Sequence, residues 1–400
     1  MIQRIFYPVG QGAFYSERHE NYNIVYDCGT CYFNRGKKNI KKVVQKSFNN
    51  EIIDILFISH FDYDHISLIE DLKTTAKEIR FVVIPLLHRN EKILLSNVFK
   101  ALGEYSLASL VDNPNKFFGA KTHIINILPY PERKKTTNSE ERKITNIEPI
   151  NLIDIEQNQK IASGTPITID NDSDWVFIPF NYKYKDRNKE FLNLLKKDYV
   201  DNVRNKTNYI LNSNIRKKIK SIYTKISGKI NQNSMFLYSG PYEKNSKCYQ
   251  GVYWDLRLLS PFSTPSKHPF PTISKYSFIK INKYPLKDSL PCQYKVACLY
   301  TGDGDLNKVD IEKIYRDYWN LIGTIQIPHH GGLKSFNESI LKDQYFLCPI
   351  SVGENNSYGH PSGKVISKIL SYASFPLLVT EDTDSEFIET IKKNKQLRII

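Results

Sequence analysis

Six consecutive positions, His60-Phe61-Asp62-Tyr63-Asp64-His65, carry two imidazoles and two carboxylates, and the apolar run in IIDILFISH leads directly into them. Divalent transition metals take imidazole nitrogen and carboxylate oxygen, best from a short rigid turn. A lone His-x-Asp would mean little. Here His60 and Asp62 fall on one side of the turn, and Asp64 and His65 lie one residue further round, a spacing that suits two adjacent cations. Three later stretches also end an apolar run on a ligand-type residue. LYTGDGD presents Asp303 after Gly302, IQIPHHGG presents His329 and His330 ahead of two glycines, and SVGENNSYGHPS delivers His360 in a turn. Taken singly, each has an ordinary structural reading: a structural Asp, a capped His pair, a turn His. Taken together with the first cluster they strengthen the case for a catalytic site, with Asp64, His330 and His360 as the catalytic candidates.

Such residues need elements that hold their backbones still. IQRIFYPVG and YNIVYDCG read as strands, NIKKVVQKSF as a helix and IIDILFISH as a buried strand. HISLIEDLKTT follows as a helix and RFVVIPLL as another strand. The ligand cluster is thus expected at the C-terminal end of a central strand, on the turn into a helix, where α/β sheets collect their active sites. YPERKKTTNSEERKITN reads as a polar linker. Leu211, Ile215, Ile219, Ile222 and Ile226 step by three and four, an amphipathic helix with Arg216, Lys217, Lys218, Lys220 and Lys225 on its other sides. SMFLYSG reads as a strand, and the Pro- and Tyr-rich segment 241–291 as strands joined by long turns. The last hundred residues return to a strand–helix rhythm, with KVDIEKIYRDYWNLI and PSGKVISKILSYA as helices.

The totals fit one large α/β domain with insertions, or two domains: 400 residues, 40% apolar and 12% aromatic, with no internal repeat. No apolar run approaches the ~18 residues of a membrane span, and MIQRIFYPVGQG lacks the features of a signal peptide, so a cytosolic protein with no membrane partner is expected. The six cysteines are scattered, and Cys28 and Cys31 have no second pair at zinc-site spacing, which leaves ordinary buried thiols. The net charge of +14 is concentrated: residues 183–229 hold fourteen Lys/Arg against four Asp/Glu. That block fits a polyanionic partner, or else a solvated helix face. No G-x-S-x-G, P-loop or kinase motif set competes with the His/Asp constellation.

The ordered motifs resemble the metallo-β-lactamase fold superfamily, and within it the branch related to the nuclease domain of the DNA-uptake competence protein ComEC. The resemblance is carried by VGQG (9–12), YDCG (26–29), H-x-D-x-D-H with Asp in place of the usual second His, the Gly302-Asp303 strand end, P-H-H-G, S-V-G-x-x-N-x-Y-G-H-P and TED (380–382). It covers 1–130 and 231–400, the two expected halves of the fold, and leaves 131–230 as a linker and basic helical insertion. It implies an α/β four-layer αββα sandwich with a dinuclear site, taking Zn or Mn, at one edge of two sheets. Carried over by position, His60 and Asp62 would hold one cation and Asp64 and His65 the other. Asp303 would bridge or bind the second, one of His329 and His330 would complete a site, and His360 would be a ligand or proton donor. Asp27 would be the orienting carboxylate. The usual third-motif histidine has no counterpart; NQNSMFLYSG offers Asn231, Asn233 and Ser234 instead.

The first functional expectation is a phosphodiesterase or nuclease acting on DNA or RNA, with Arg216, Lys217, Lys218 and Lys220 on the phosphate backbone. Tyr182, Tyr184, Phe191, Tyr199, Tyr209 and Tyr223 would then be available for base stacking, or else serve as core contacts. A second keeps the enzyme and changes the substrate to a cyclic nucleotide, lactone or phospho-ester, with 241–291 as a lid. A third is a docking subunit of an operon-encoded assembly, and the resemblance extends to anti-phage defence settings.

Overall fold

The computed structural model describes residues 1–32, 35–130, 148–169, 174–184, 189–195, 202–203, 206, 213–225, 230–231, 233–242, 249–254, 256–259, 278–281 and 295–393. From the N-terminus come β1 (Ile2–Phe6), β2 (Phe14–Arg18), β3 (Asn23–Cys28), β4 (Ile52–Phe57), β5 (Glu78–Pro85) and β6 (His123–Ile127). Three two-residue strands follow, β7 (Ile150–Asn151), β8 (Lys160–Ile161) and β9 (Ile167–Thr168), and then the long pair β10 (Trp175–Lys183) and β11 (Asn233–Pro241). After β12 (Tyr249–Trp254), β13 (Leu256–Leu259) and β14 (Phe278–Ile281), the chain closes with β15 (Ala297–Tyr300), β16 (Ile322–Ile325), β17 (Leu347–Ser351), β18 (Phe375–Val379) and β19 (Phe387–Lys393).

One sheet has the order β12-β19-β1-β2-β3-β4-β5-β6-β8 and the other β18-β17-β16-β15-β11-β10-β9-β7; β13 and β14 pair with each other. Alternation along the strands builds the layers. On β11, Met235 and Leu237 face a core shared with Phe6, Phe57 and Tyr300 between the sheets. Phe236 and Tyr238 face the opposite way, onto a core with Tyr315, Val365 and Ile369. A third core packs the outer face of the first sheet against the helices Arg35–Ser47 and Arg89–Leu102 through Val44, Val98 and Phe99. Helix, sheet, sheet, helix is the four-layer αββα order.

Two local expectations are corrected. HISLIEDLKTT forms two short helices, Tyr63–Ile66 and Ile69–Thr75, rather than one. KVDIEKIYRDYWNLI is α-helical only at Ile311–Ile314, with a separate 3-10 turn at Trp319–Leu321, because Tyr315 is buried with its hydroxyl donating to Ile178 O at 3.0 Å, and this tertiary contact outweighs helical spacing. Within 131–230, β10 pairs with β11 over nine residues and is a strand of the second sheet. Residues 131–147, and most of 241–291, lie outside the described residues. No helix among the described residues is long and apolar enough to cross a membrane.

The inter-sheet layer holds one ionic cluster. Arg4 donates from Nε to Glu17 at 2.9 Å and from Nη1 to Glu389 at 2.5 Å, all three buried. Ser239 and Tyr300, from the facing sheet, donate to Glu17 at 2.7 and 3.0 Å, and Thr324 donates to Glu389 at 3.0 Å. Burial penalises the Glu17 carboxylate, but Arg4 and the hydrogen bonds outweigh that and hold its pKa down at about 2.

Candidate metal centre

The site begins where β3 and β4 end side by side. Asp27 is buried at φ +55, a left-handed conformation that the Asp side chain tolerates and that aims its carboxylate across to the end of β4. It accepts from the Ser59 amide at 2.7 Å, the Ser59 hydroxyl at 2.6 Å and His65 Nδ1 at 2.8 Å. Gly29 lets the ligand turn pass close by: a Cβ there would lie 2.5 Å from Asp64 O. The facing sheet contributes through Gly302 (φ +53), whose amide and that of Thr301 both donate to Gln326 Oε1 at 2.8 Å, fixing the turn that presents Asp303. His329 and His330 both hold positive φ, 51° and 55°, strain that the two following glycines help the backbone accommodate.

Hydrogen bonding fixes which ring nitrogens are free to ligate. The Ser59 hydroxyl gives its proton to Asp27, so His60 Nδ1 donates to Ser59 Oγ at 2.8 Å and His60 Nε2 carries a lone pair. His65 Nδ1 donates to Asp27, which leaves Nε2 facing Asp303 Oδ1 at 3.2 Å. His330 Nδ1 donates to Ser351 O at 2.8 Å, which leaves Nε2 facing Asp64 Oδ2 at 3.0 Å. In each of the last two pairs a nitrogen lone pair meets a carboxylate oxygen, and only a cation between them, a proton or a metal, makes that favourable. Burial lowers the His65 pKa, but Asp303 and Asp27 outweigh it and raise it well above the usual value. Burial likewise opposes ionised Asp64, yet the hydrogen bond with His330 and the charge of His65 hold it down at about 2. Asp303 is held well below the carboxylate range by His329 and His65 against the effect of its burial.

Among the described residues, two groups could each hold a metal ion: His60, His65 and Asp303, and Asp64, His65 and His330, with the ligand atoms of each group within 4.8 Å of one another. His65 is common to both. The residues fit divalent cations on a second count: His60 Nε2 and Asp62 Oδ1 are buried without a hydrogen-bond partner, a cost of about 1–3 kcal/mol each that a bound ion would remove. Asp62 Oδ2 lies 3.4 Å from His60 Nε2. His329 and His360 belong to neither group. His329 Nδ1 donates to Asp303 Oδ2 at 2.6 Å, and the His360 ring packs 5.3 Å from that of His329. Gln11 Nε2 donates to His360 Nδ1 at 3.3 Å, so the neutral ring keeps its proton on Nε2. Ser59 and Gln326 escaped the sequence reading; a hydroxyl immediately before His60, and a Gln just before the Pro-His-His turn, were the signals available.

The basic residues sit on the helix Ser213–Lys225, which packs on the outer helical layer through Ile219, Ile222 and Tyr223. Lys217 and Lys220 are exposed, and Arg216 and Lys218 partly so. The last turn of this helix reaches the metal centre: burial and the nearby Asp62 and Asp64 carboxylates raise the Tyr223 pKa well above normal. Tyr184, Phe191 and Tyr223 are buried as core contacts, which removes them from base stacking. Tyr182 is partly exposed, and Tyr199 and Tyr209 lie outside the described residues.

No family model matches the chain, and no curated protein does. Among solved structures it is similar to the crystal structure of the metallo-beta-lactamase fold protein YhfI from Bacillus subtilis, at 11% identity and a TM-score of 0.19. The match covers 46% of this chain and only 56% of the YhfI chain.

Proposed function

We propose that this chain is a dinuclear metal-dependent hydrolase that cleaves phosphodiester bonds in nucleic acid, as the ComEC-like motif variant implies. The observation that carries the reading is the pair of ligand groups joined at His65, each with an imidazole Nε2 lone pair turned toward a carboxylate oxygen. Two divalent cations there, Zn or Mn, would supply an activated water and neutralise charge developing on a phosphoryl oxygen. The protein does the rest. Asp27 and Ser59 orient His65 and His60, Ser351 orients His330, and His360 Nε2–H is the proton donor to the leaving oxygen. The helix Ser213–Lys225 favours a polyanion over a small ester, because its last turn abuts the site while Lys217 and Lys220 stand exposed on it.

Cleavage of labelled single- and double-stranded DNA and RNA with Mn²⁺ or Zn²⁺, beside Asp64→Ala, tests this. The expected result is cleavage of one polymer class that disappears in the variant. Equal cleavage by both proteins, or none by wild type with its metal content confirmed, overturns the reading and moves it to a small substrate or a docking subunit. Binding gives an independent check. Replacing Arg216, Lys217, Lys218 and Lys220 by Gln is expected to lower the slope of log K against log salt by up to about 3 on a single strand, at ~0.7 per phosphate contact. A slope that does not move removes the helix from the substrate path.

A further inference from the structure

The rings of Tyr358, His360 and His330 step inward from solvent to the metal centre. Tyr358 is 48% exposed, and its ring lies 6.0 Å from that of His360 at an interplanar angle of 31°. The His360 ring lies 6.3 Å from that of His330 at 27°, and His330 is buried against Asp64. Leu333, 46% exposed, adjoins the same histidine from another loop: it follows Gly332, where a Cβ would lie 3.0 Å from His360 Nε2. Single exposed apolar side chains are ordinary. Two of them flanking one histidine, at a centre built of imidazoles and carboxylates, make a surface for an apolar part of a ligand.

Tyr358 stands on a turn that one side chain holds in place. Asn356 Oδ1 accepts from the Tyr358 and His360 amides, each at 3.1 Å. Asn356 Nδ2 donates to Gly353 O at 2.7 Å and to His360 O at 2.6 Å. The backbone is thereby fixed on both sides of Gly359, which takes the φ of +69 that the turn requires. Burial raises the pKa of the Tyr358 hydroxyl, and Cys31 and the Asp64 carboxylate add to it, so the ring lies within the field of the ligand turn. An aromatic ring preorganised in this way beside the proposed phosphodiesterase centre suits stacking on a base, since every base has a π-face.

We propose that the exposed face of Tyr358 stacks the unpaired base on the leaving-group side of the scissile phosphodiester. The inference rests on the proposed phosphodiesterase reading and names the part of the substrate that this site grips. The side follows from His360, whose Nε2–H is the donor to the leaving oxygen and whose ring Tyr358 adjoins. Stacking requires the base to be out of a duplex, so the substrate class is a single strand or an unpaired end, with little preference among bases.

A single abasic nucleotide, placed in a labelled strand that wild type cleaves, tests it bond by bond. Cutting of the bond beside the abasic position is expected to fall by about 5- to 150-fold when the missing base lies on one side of that bond, and to change little when it lies on the other. Tyr358→Ala is expected to slow cleavage of the intact strand by a similar factor, through KM rather than kcat, and to erase the difference between the two placements. Tyr358→Phe keeps the ring and is expected to restore that difference, which separates stacking from any use of the hydroxyl. The wild-type comparison alone carries the test if the alanine variant does not fold by circular dichroism. Equal cutting with the base missing on either side, a difference that persists in Tyr358→Ala, or a Tyr358→Phe variant that behaves like Tyr358→Ala overturns the inference and leaves the phosphodiesterase standing. A wild-type protein that cleaves no nucleic acid overturns both.

Discussion

If the proposed hydrolase reading holds, His65→Ala is expected to empty both metal positions at once and to cut the hydrolytic rate by roughly 10³-fold or more. Cations held there would take the pKa of a bound water from ~15.7 toward ~7, an effect that no side chain of the site replaces. The expectation follows from connectivity. His65 is the one residue in both ligand groups, and its Nδ1 is held by Asp27 at 2.8 Å, which leaves Nε2 turned to Asp303. Removing it deletes a ligand from each group and also exposes Asp27 and Asp303 to mutual repulsion across the vacated space. Asp27→Asn is the informative contrast. It keeps the shape and the hydrogen bond from the Ser59 amide but weakens the hold on His65, so a loss of about 10–100-fold in metal affinity is expected. Metal content by mass spectrometry and initial rates on the wild-type substrate check both variants. If His65→Ala keeps one full equivalent of metal, the two groups do not share this residue in the working protein.

The site was legible in the sequence where ligands follow strands at short range. Four ligand-type residues within six positions after IIDILF needed only the turn to bring them together, and the structure puts them on that turn. What sequence spacing could not supply was the pairing across sheets. It grouped His60 with Asp62 and Asp64 with His65, as neighbours along the chain. The resemblance had already named Asp303 and one of His329 and His330; among the described residues Asp303 falls with His60, His330 falls with Asp64, and His65 is common to both groups. The fold was legible wherever a strand is apolar on both faces. β19 escaped notice because its inward-facing Glu389 is a buried charge, paired with Arg4, and so reads as a polar interruption. β10 was passed over beside the Lys-rich segment that follows it, although Trp175, Phe177 and Val176 fill two different cores. Asn231, Asn233 and Ser234 were singled out in the sequence only by their place in the motif order; that each carries a buried side-chain atom without a hydrogen-bond partner is visible only in the structure.

Glu17→Gln is expected to cost about 3–5 kcal/mol of folding stability, the usual result of removing one partner from a buried ion pair. Glu17 accepts from Arg4 on its own sheet and from Ser239 and Tyr300 on the other, so the amide both uncovers part of the Arg4 charge and loses acceptor capacity at the inter-sheet contact. The same variant should alter the pH dependence, and the sign is fixed. The folded-state pKa of Glu17 is about 2, below the ordinary value of 4.5, so the unfolded chain takes up this proton first as pH falls. The stability Glu17 contributes is therefore fully present above about pH 4.5 and is lost between there and about pH 2. Urea unfolding between pH 6 and pH 3 should show wild-type stability falling steeply and the variant, already weaker, falling less steeply. Asp64 and Asp303 also titrate low in the folded chain, so the slope shrinks without vanishing. Parallel curves for the two proteins would mean that Glu17 is not ionised in the core, and that Arg4 is balanced by Glu389 alone.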